Sequence, residues 1–417
     1  MIFKFLHYLK KKNIPYIIIN GYVDLVKDID RTNDNDILFT KKVFQDIKTI
    51  LNDFCQQENF LLVQEMHHHI YAKNFFLYSP IENKFLNLDL YGELSQENIL
   101  LYEEKELFNS IRYYKKYPIL STEKDFFTYL IKKLFKKDLN QENFLFLKNL
   151  YMIEPYKCNK LIEKFFRNHV NTIKNAFIND TVTPLLEKDK SIIMEFLLNK
   201  KLTLSTSINN TKRILQRILN PTGVSIAFLG PDGSGKSTVI EKLMEKNLPF
   251  RRKDYFHLKP FYNKRKSIAV EDPHEKPPYN QPKSYIKLFY FIYQYNFGWI
   301  KNILKLQLQS SLTIFDRYYD DLLVDNKRYR YGGNLGVARF VKLFIPEPDI
   351  YFVLTTDPKI IAARKEEVPF EELERQVKNY RSLGDGKKYF SIDVNRHPEE
   401  ITKDIISIIM DKMNDRY

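Results

Sequence analysis

The stretch "FLGPDGSGKSTVI", residues 228–240, decides the fold of the second half of this 417-residue chain. A buried-strand pattern, "VSIAFLG", runs into it, and a helical pattern, "TVIEKLMEK", follows. Gly230, Gly235, Lys236 and Ser237 stand at the spacing G-x-x-x-x-G-K-[ST], with Gly233 between them. Glycines at those positions let backbone N–H groups turn inward around a phosphate chain, and the helix N-terminus adds its dipole. Lys236 would neutralise the β and γ oxygens, and the Ser237 hydroxyl would reach Mg²⁺. Asp232, Ser234 and Thr238 complete the expected ATP·Mg²⁺ loop.

Working outward, "LTIFDRYYDDLL" (312–323) is an apolar strand ending in Asp316 and Arg317. Both side chains then emerge at the carboxyl edge of a sheet, where ligands of open α/β sheets bind. A carboxylate there would hold a Mg²⁺-bound water or accept a hydroxyl proton, and the arginine would fork onto a phosphate. The plainer alternative is a surface ion pair after a strand.

These two motifs, with "PEPDIYFVLTTDPKIIAARK" at 346–365, resemble the thymidylate kinase family of P-loop nucleoside monophosphate kinases over residues 222–417. The resemblance implies a lid carrying Arg364, Lys365 and Arg375, whose cations would offset transition-state charge while excluding water. The same residues also read as a solvated helix with i,i+4 pairs. After the Asp-Arg pair the chain departs from the family: "YYDDLLVDNKRYRYGG" (318–333) replaces the pyrimidine-reading residues. Its acids Asp320, Asp321 and Asp325, beside Lys327, Arg328 and Arg330, suit a hydroxyl-rich phosphorylated acceptor, because carboxylates accept from hydroxyls and cations take phosphate. A solvated charge run is the competing account. The Pro-rich basic stretches 255–267 and 271–285 read as a fixed, extended loop; the resemblance implies that it faces the acceptor, with His257 and Lys259 as candidates.

The bulk numbers frame the rest. Hydrophobic residues make up 44% of the chain, enough for full cores. Lys+Arg 66 against Asp+Glu 52 leaves +14, and a pI near 9.3 fits anionic partners or simple solubility. The two cysteines, Cys55 and Cys158, exclude a disulfide framework and a cysteine zinc site and suit a reducing compartment. "MIFKFLHYLKKK" lacks the features of a signal peptide, and "LFYFIYQYNFGWI" (288–300) is too short to span a bilayer. The expectation is a cytoplasmic protein without a transmembrane segment, with peripheral membrane contact as the outside reading.

Three regions separate: 1–95 with an α+β pattern, 96–219 with helical spacing, and 220–417 with alternating strands and helices. In the first, "NGYVDLVKDIDRTNDNDILF" (20–39) holds D-x-D pairs, of which Asp34/Asp36 runs into a strand. Residues i and i+2 of a strand share a face, and two carboxylates so placed ask for a divalent cation. Asp89, in "FLNLDLYG", adds a third acid on another strand, the set a Mg²⁺-dependent phosphoryl or nucleotidyl transfer needs. The pattern resembles polymerase-beta-type nucleotidyltransferases over about residues 13–95. That resemblance implies metal binding by Asp34, Asp36 and Asp89, and Asn20 and Gly21 near an incoming triphosphate. Tyr22 departs from the family's Gly or Ser. The competing account is an acidic turn plus one buried Asp. "MHHHIYAKNFF" (66–76) reads as a polar strand face or gatekeeper, since His67 and His69 alone fall short of the ligand number zinc wants.

The expected architecture is therefore α/β: a C-terminal P-loop kinase with a parallel sheet, preceded by a nucleotidyltransferase-like α+β domain and a helical region. The expected function is ATP- and Mg²⁺-dependent phosphotransfer to a small phosphorylated or hydroxylated acceptor, with a second nucleotidyl-transfer site. The resemblance to similar two-module fusions implies bacterial surface-glycan (polysaccharide) biosynthesis, which makes a sugar or glycosyl phosphate the main acceptor reading. A dTMP or nucleoside monophosphate kinase is the first alternative, and a nucleic-acid-binding protein the less favoured one.

Overall fold

The structure, a computed structural model, describes residues 1–27, 35–199, 211, 214–215, 218–261, 276–365 and 368–417. Asp34 and the stretch 262–275 lie outside the described residues. The chain forms two compact units, Met1–Gln216 with Tyr417, and Arg217–Arg416.

The first unit begins with α1 (Ile2–Lys11), β1 (Tyr16–Ile18), α2 (Tyr22–Val26), β2 (Asn35–Phe39) and α3 (Ile47–Glu58). A meander follows: β3 (Leu61–His69), β4 (Ala72–Ser79) and β5 (Lys84–Tyr91). After it come β6 (Arg112–Tyr114), β7 (Tyr117–Ile119) and α4 (Thr122–Lys136), then α5 (Gln141–Ile153), α6 (Pro155–Phe165), α7 (Val170–Ile178) and α8 (Asp189–Leu197). The strands build one mixed seven-stranded sheet in the order β3-β4-β5-β2-β1-β7-β6. Residues 96–119, grouped with the helices by sequence pattern, thus supply two of its strands.

The period-two pattern of β5 sets the layers. Leu86, Leu88 and Leu90 are buried on one face, where Phe5, Leu9, Leu51 and Phe54 of α1 and α3 cover them. Asn87, Asp89 and Tyr91 point to the other face, which α4 covers with Phe126, Phe127 and Leu130 beside Leu38 of β2. Alternation alone therefore sends the polar residues of β5 towards the helical side.

The second unit contains β8 (Val224–Leu229), α9 (Lys236–Glu245), β9 (Arg252–His257), α10 (Gln281–Gly298), β10 (Ser311–Asp316) and α11 (Tyr319–Val324). It continues with α12 (Leu335–Lys342), β11 (Ile350–Thr355), α13 (Pro358–Arg364), α14 (Phe370–Arg381), β12 (Tyr389–Asp393) and α15 (Pro398–Asn414). All five strands are parallel, in the order β9-β10-β8-β11-β12. Every residue of β8, β10 and β11 is buried, as strands covered on both faces require. One face packs on Leu288, Phe291 and Tyr295 of α10; α9 lies against β10 and α15. This α/β unit matches the parallel sheet expected from the sequence. No helix among the described residues is long and apolar enough to cross a membrane.

Candidate functional sites

The central strand β8 ends in the glycine loop. Gly230 has φ +146, and a Cβ there would come within 2.3 Å of the Leu354 carbonyl oxygen, so only glycine lets the loop leave the sheet at this point. Gly235, at φ +80, stands at the N-cap of α9, which Lys236 opens. Ser237 and Thr238 are exposed at that helix start, while Ser234 is fully buried. The Lys236 ammonium folds back on its own loop, donating to the Gly230 and Pro231 carbonyls at 2.8 Å each. Burial, then the charge of Arg317, pushes its pKa down to about 8. Those two carbonyls are weak partners for a buried cation, and a phosphate would be a stronger one.

Asp316 ends β10, the strand beside β8, and Arg317 follows it. Asp316 accepts from the Tyr255 hydroxyl at 3.1 Å through Oδ2, and His257 Nδ1 lies 3.6 Å from the same atom. Its Oδ1 is buried with no hydrogen-bond partner among the described residues. Burial pushes this carboxyl up, but His257, Lys236 and Arg317 outweigh that and hold it below its ordinary value. A buried, ionised carboxylate with one oxygen unpartnered is the kind of ligand a hydrated Mg²⁺ takes. Arg317 adopts φ +68, unusual for a residue with a side chain. It bridges Asp232 of the loop and Asp321 at the start of α11, and Arg328 reaches Asp232 from the other side.

The acids after Arg317 behave differently from the expectation. Asp320 and Asp321 are fully buried. Asp321 accepts from Arg317 (2.7 Å), Tyr329 (2.8 Å) and Tyr380; Asp320 accepts from Lys342 and from Tyr389 at 3.1 Å. Asp325, also buried, accepts from the Arg328 backbone N–H. These carboxylates are committed to donors of the unit's own core and, contrary to the sequence expectation, are not placed to read acceptor hydroxyls. Of the expected lid residues, Arg364 donates to the Val394 carbonyl at 3.3 Å, and Arg375 pairs with Glu372. Lys365 alone lies against the loop, 3.1 Å from where a Gly233 Cβ would sit.

Beyond β9, Lys259 and Lys287 hold their ammonium groups over the Phe291 ring, 4.4 and 5.7 Å from its centroid. Burial, then the charge of Lys287, pushes Lys259 down to about 8. Among the described residues no carboxylate forms a salt bridge with either lysine. Lys287 had no signal in the sequence beyond its position one turn before Phe291.

The first unit gathers a second polar cluster. Asp36 of β2 stands directly opposite Asp89 of the parallel strand β5, and Asn74 of β4 stands opposite Asp89 on its other side. Asp36 is buried; its Oδ2 accepts from Lys132 of α4 at 2.6 Å and its Oδ1 from Tyr91 at 3.3 Å. Asn74 donates to Asp89 at 2.9 Å. Burial, and more weakly the Asp36 charge, raises the Asp89 pKa. Gly21, at φ +77, caps α2, and the Asn20 side chain accepts from its N–H. Tyr22 turns inward, donating to the buried Asp125 at 2.6 Å. His67 pairs with Glu65, and His69 with Asn98. No group of three His, Cys, Asp or Glu among the described residues could hold a metal ion. The carboxylate pair expected to hold a metal already has an ammonium on it, so the described residues do not present an open cation site. Sequence spacing missed Lys132 and Asn74. The one signal for Lys132 was its place on the Asp125 face of α4, seven residues or about two turns on.

Fold and site define the second unit as a P-loop α/β domain. No protein-family model matches the chain, and no curated relative matches it. Among solved structures, thymidylate kinase from Candida albicans is similar at 20% identity, covering 46% of this chain and 93% of that one, with a TM-score of 0.35. Thymidylate kinase from Ehrlichia chaffeensis is similar at 16% identity, covering 45% and 98%, with a TM-score of 0.33. Likeness at that level decides neither fold nor function; the site's own geometry carries the reading.

Proposed function

We propose that the second unit is an ATP- and Mg²⁺-dependent phosphotransferase acting on a small phosphorylated acceptor, with nucleoside monophosphates as the leading class. The observation that carries it is the glycine loop at the end of β8, with Lys236 buried beneath it and Asp316 beside it at the same sheet edge. The loop and the start of α9 would hold the donor's phosphates. Ser237 and Asp316 would hold Mg²⁺, which supplies charge neutralisation on the phosphates when bound. Arg317, its guanidinium held between the Asp232 and Asp321 carboxylates, would stand at the acceptor edge with little rotamer freedom to lose.

Lys259 and Lys287 support a phosphorylated acceptor, because two like charges held over one ring gain most from an anion between them. The sugar-phosphate reading has lost its physical support with the burial of Asp320 and Asp321. The test is ATP turnover with Mg²⁺ against a panel of nucleoside monophosphates, dTMP included, and sugar phosphates, with Lys236→Ala as control. Lys236-dependent consumption of a nucleoside monophosphate is expected; turnover with sugar phosphates alone would sink the acceptor assignment.

For the first unit, the reading is a nucleotidyltransferase-like core. It is supported by the order β1, Gly21 turn, α2, β2 and by the Asp36–Asp89 register. Incorporation of labelled nucleotide into an acceptor, abolished by Asp36→Asn and unaffected by Lys236→Ala, is the test of activity there.

A further inference from the structure

From 286 to 300 every exposed position of α10 and the residues after it is aliphatic or aromatic: Ile286, Phe289, Tyr290, Tyr293, Phe297 and Ile300. Their spacing of three and four residues makes one stripe, turned away from Leu288, Phe291 and Tyr295, which pack on the sheet. A π turn, Trp299–Ile303, carries the helix on into Leu304–Leu308, where Leu304 is exposed as well. Beside it, α12 and the turn that follows add Phe340, Leu343 and Phe344, tied to α10 where the Asn296 side chain donates to the Phe344 carbonyl at 2.7 Å. Phe289 is 72% and Leu343 78% exposed, so no described residue covers this face. A contiguous apolar face of that extent marks a docking surface.

Charge decides what docks there. Residues 281–310 hold four lysines and no acid, and residues 334–345 hold Arg339 and Lys342 and no acid. Lys283 precedes the stripe, Lys301 and Lys305 follow it, and Arg339 stands next to Phe340; all four are exposed. Among the described residues none of the four forms a salt bridge. A twofold contact with a second copy would set this cationic face on itself with no carboxylate to meet it. An anionic lipid surface meets both parts: phosphates for the cations and an acyl boundary for Phe, Ile and Leu, with Tyr290 and Tyr293 suited to the headgroup level.

A second feature points the same way. At the Lys301–Lys305 end, between that helix and the edge strand β9, lies a cleft of about 700 Å³ lined by Arg252, Lys301, Lys305, Asn302 and Tyr255. The acid among its lining residues, Asp254, is already committed to Arg252 and to the Ser311 hydroxyl at 2.6 Å. The cleft therefore offers unpaired ammonium groups to a phosphate, next in the chain to the apolar Ile300 and Leu304.

We propose that the face of α10 and α12 docks the second unit on an anionic phospholipid bilayer, with the cleft beside β9 taking lipid phosphate. The stripe lies in the plane of the interface at the acyl boundary, and no helix crosses. The proposal rests on this face alone and stands whether or not the second unit transfers phosphate.

The experiment is flotation of the full chain with vesicles of phosphatidylcholine alone or mixed with phosphatidylglycerol, at low and high NaCl. Wild type is compared with the double variants Phe289→Ser/Phe340→Ser and Lys301→Ala/Lys305→Ala. All four side chains are exposed, and an unchanged urea midpoint shows that each variant folds. Wild type should bind the mixed vesicles in a salt-sensitive way, and each double variant should weaken that binding about tenfold or more. Absence of wild-type binding, equal binding to phosphatidylcholine alone, or binding that either double variant leaves unchanged overturns the proposal. Light scattering without vesicles gives the last outcome. A wild-type dimer that Phe289→Ser/Phe340→Ser converts to a monomer would assign the face to a second copy and overturn it too.

Discussion

The guanidinium of Arg317 donates to the carboxylate of Asp321 at 2.7 Å, one helical turn along the chain, and both side chains are buried. Two tyrosine hydroxyls, from Tyr329 and Tyr380, complete the coordination of Asp321. Asp321→Ala leaves those three donors facing a void and Arg317 with Asp232 alone. It is expected to destabilise the second unit by about 3–5 kcal/mol, the usual cost of removing one partner from a buried pair. The chain's single tryptophan, Trp299, lies in this unit, so its fluorescence during urea unfolding reads the loss directly. A change under about 1 kcal/mol, the range of exposed pairs, would show that Asp321 faces solvent after all.

Lys236 gives a pH dependence with two opposite signs. Its folded pKa, about 8, lies below the ordinary lysine value of 10.5 because of burial and then Arg317. Below pH 8 both folded and unfolded chains hold the proton, and the cost of burying the charge is present in full. Between pH 8 and 10.5 only the unfolded chain keeps it, so this group's contribution to stability rises with pH, by at most roughly 1.4 kcal/mol per unit. On the proposed function, nucleotide binding runs the other way, because the ammonium would be what meets the phosphates. The nucleotide-induced rise in melting temperature should therefore shrink from pH 7 to 10, and Lys236→Met should abolish it while leaving the free protein at least as stable at pH 7. A nucleotide shift that stays constant over that range is the contrary result.

How much of this was legible in the sequence depends on the range of the interaction. The glycine loop was readable because strand, loop and helix are contiguous, and Gly230 is required where a side chain would strike Leu354. Asp89 was readable as a polar face within a leucine alternation, although its pairing with Asp36 came only from the parallel register of β2 and β5. The acids at 320 and 321 were misread because their partners, Lys342, Tyr380 and Tyr389, lie 22 to 69 residues away in the chain. A run of charges looks the same in sequence whether solvated or buried against distant donors. The Lys132–Asp36 pair, 96 residues apart, escaped for the same reason.

Lys259 separates acceptor from donor. If it binds the acceptor's phosphate, Lys259→Ala removes a charge-assisted hydrogen bond worth about 1.5–3 kcal/mol, raising the acceptor KM by roughly tenfold or more. The KM for ATP should hold. It should also relieve the repulsion with Lys287 that helps to lower the Lys259 pKa, so the free protein should not lose stability. Steady-state kinetics with each substrate varied in turn checks this, and an equal rise in both KM values would remove Lys259 from the acceptor site.

Asp125 carries the last prediction, and its sign is the reverse of the usual carboxylate. The group is 3% exposed, and burial pushes its pKa up to about 7, although Tyr22 and Arg112, at 2.6 and 3.2 Å, both pull it down. Below about pH 4 the carboxyl is neutral in both folded and unfolded chains, and its full contribution to stability is present. Between pH 4 and 7 the unfolded chain ionises first while the folded one keeps its proton, so stability of the first unit falls as pH rises. Asp125→Asn keeps an oxygen for the Tyr22 hydroxyl and removes the titration. The variant should lack the wild-type decline over that window, and the two should differ most near neutral pH. Hydrogen exchange of the α4 amides reads this locally, without interference from the second unit. Parallel profiles for the two proteins would mean that Arg112 keeps Asp125 ionised throughout and that burial is the weaker effect.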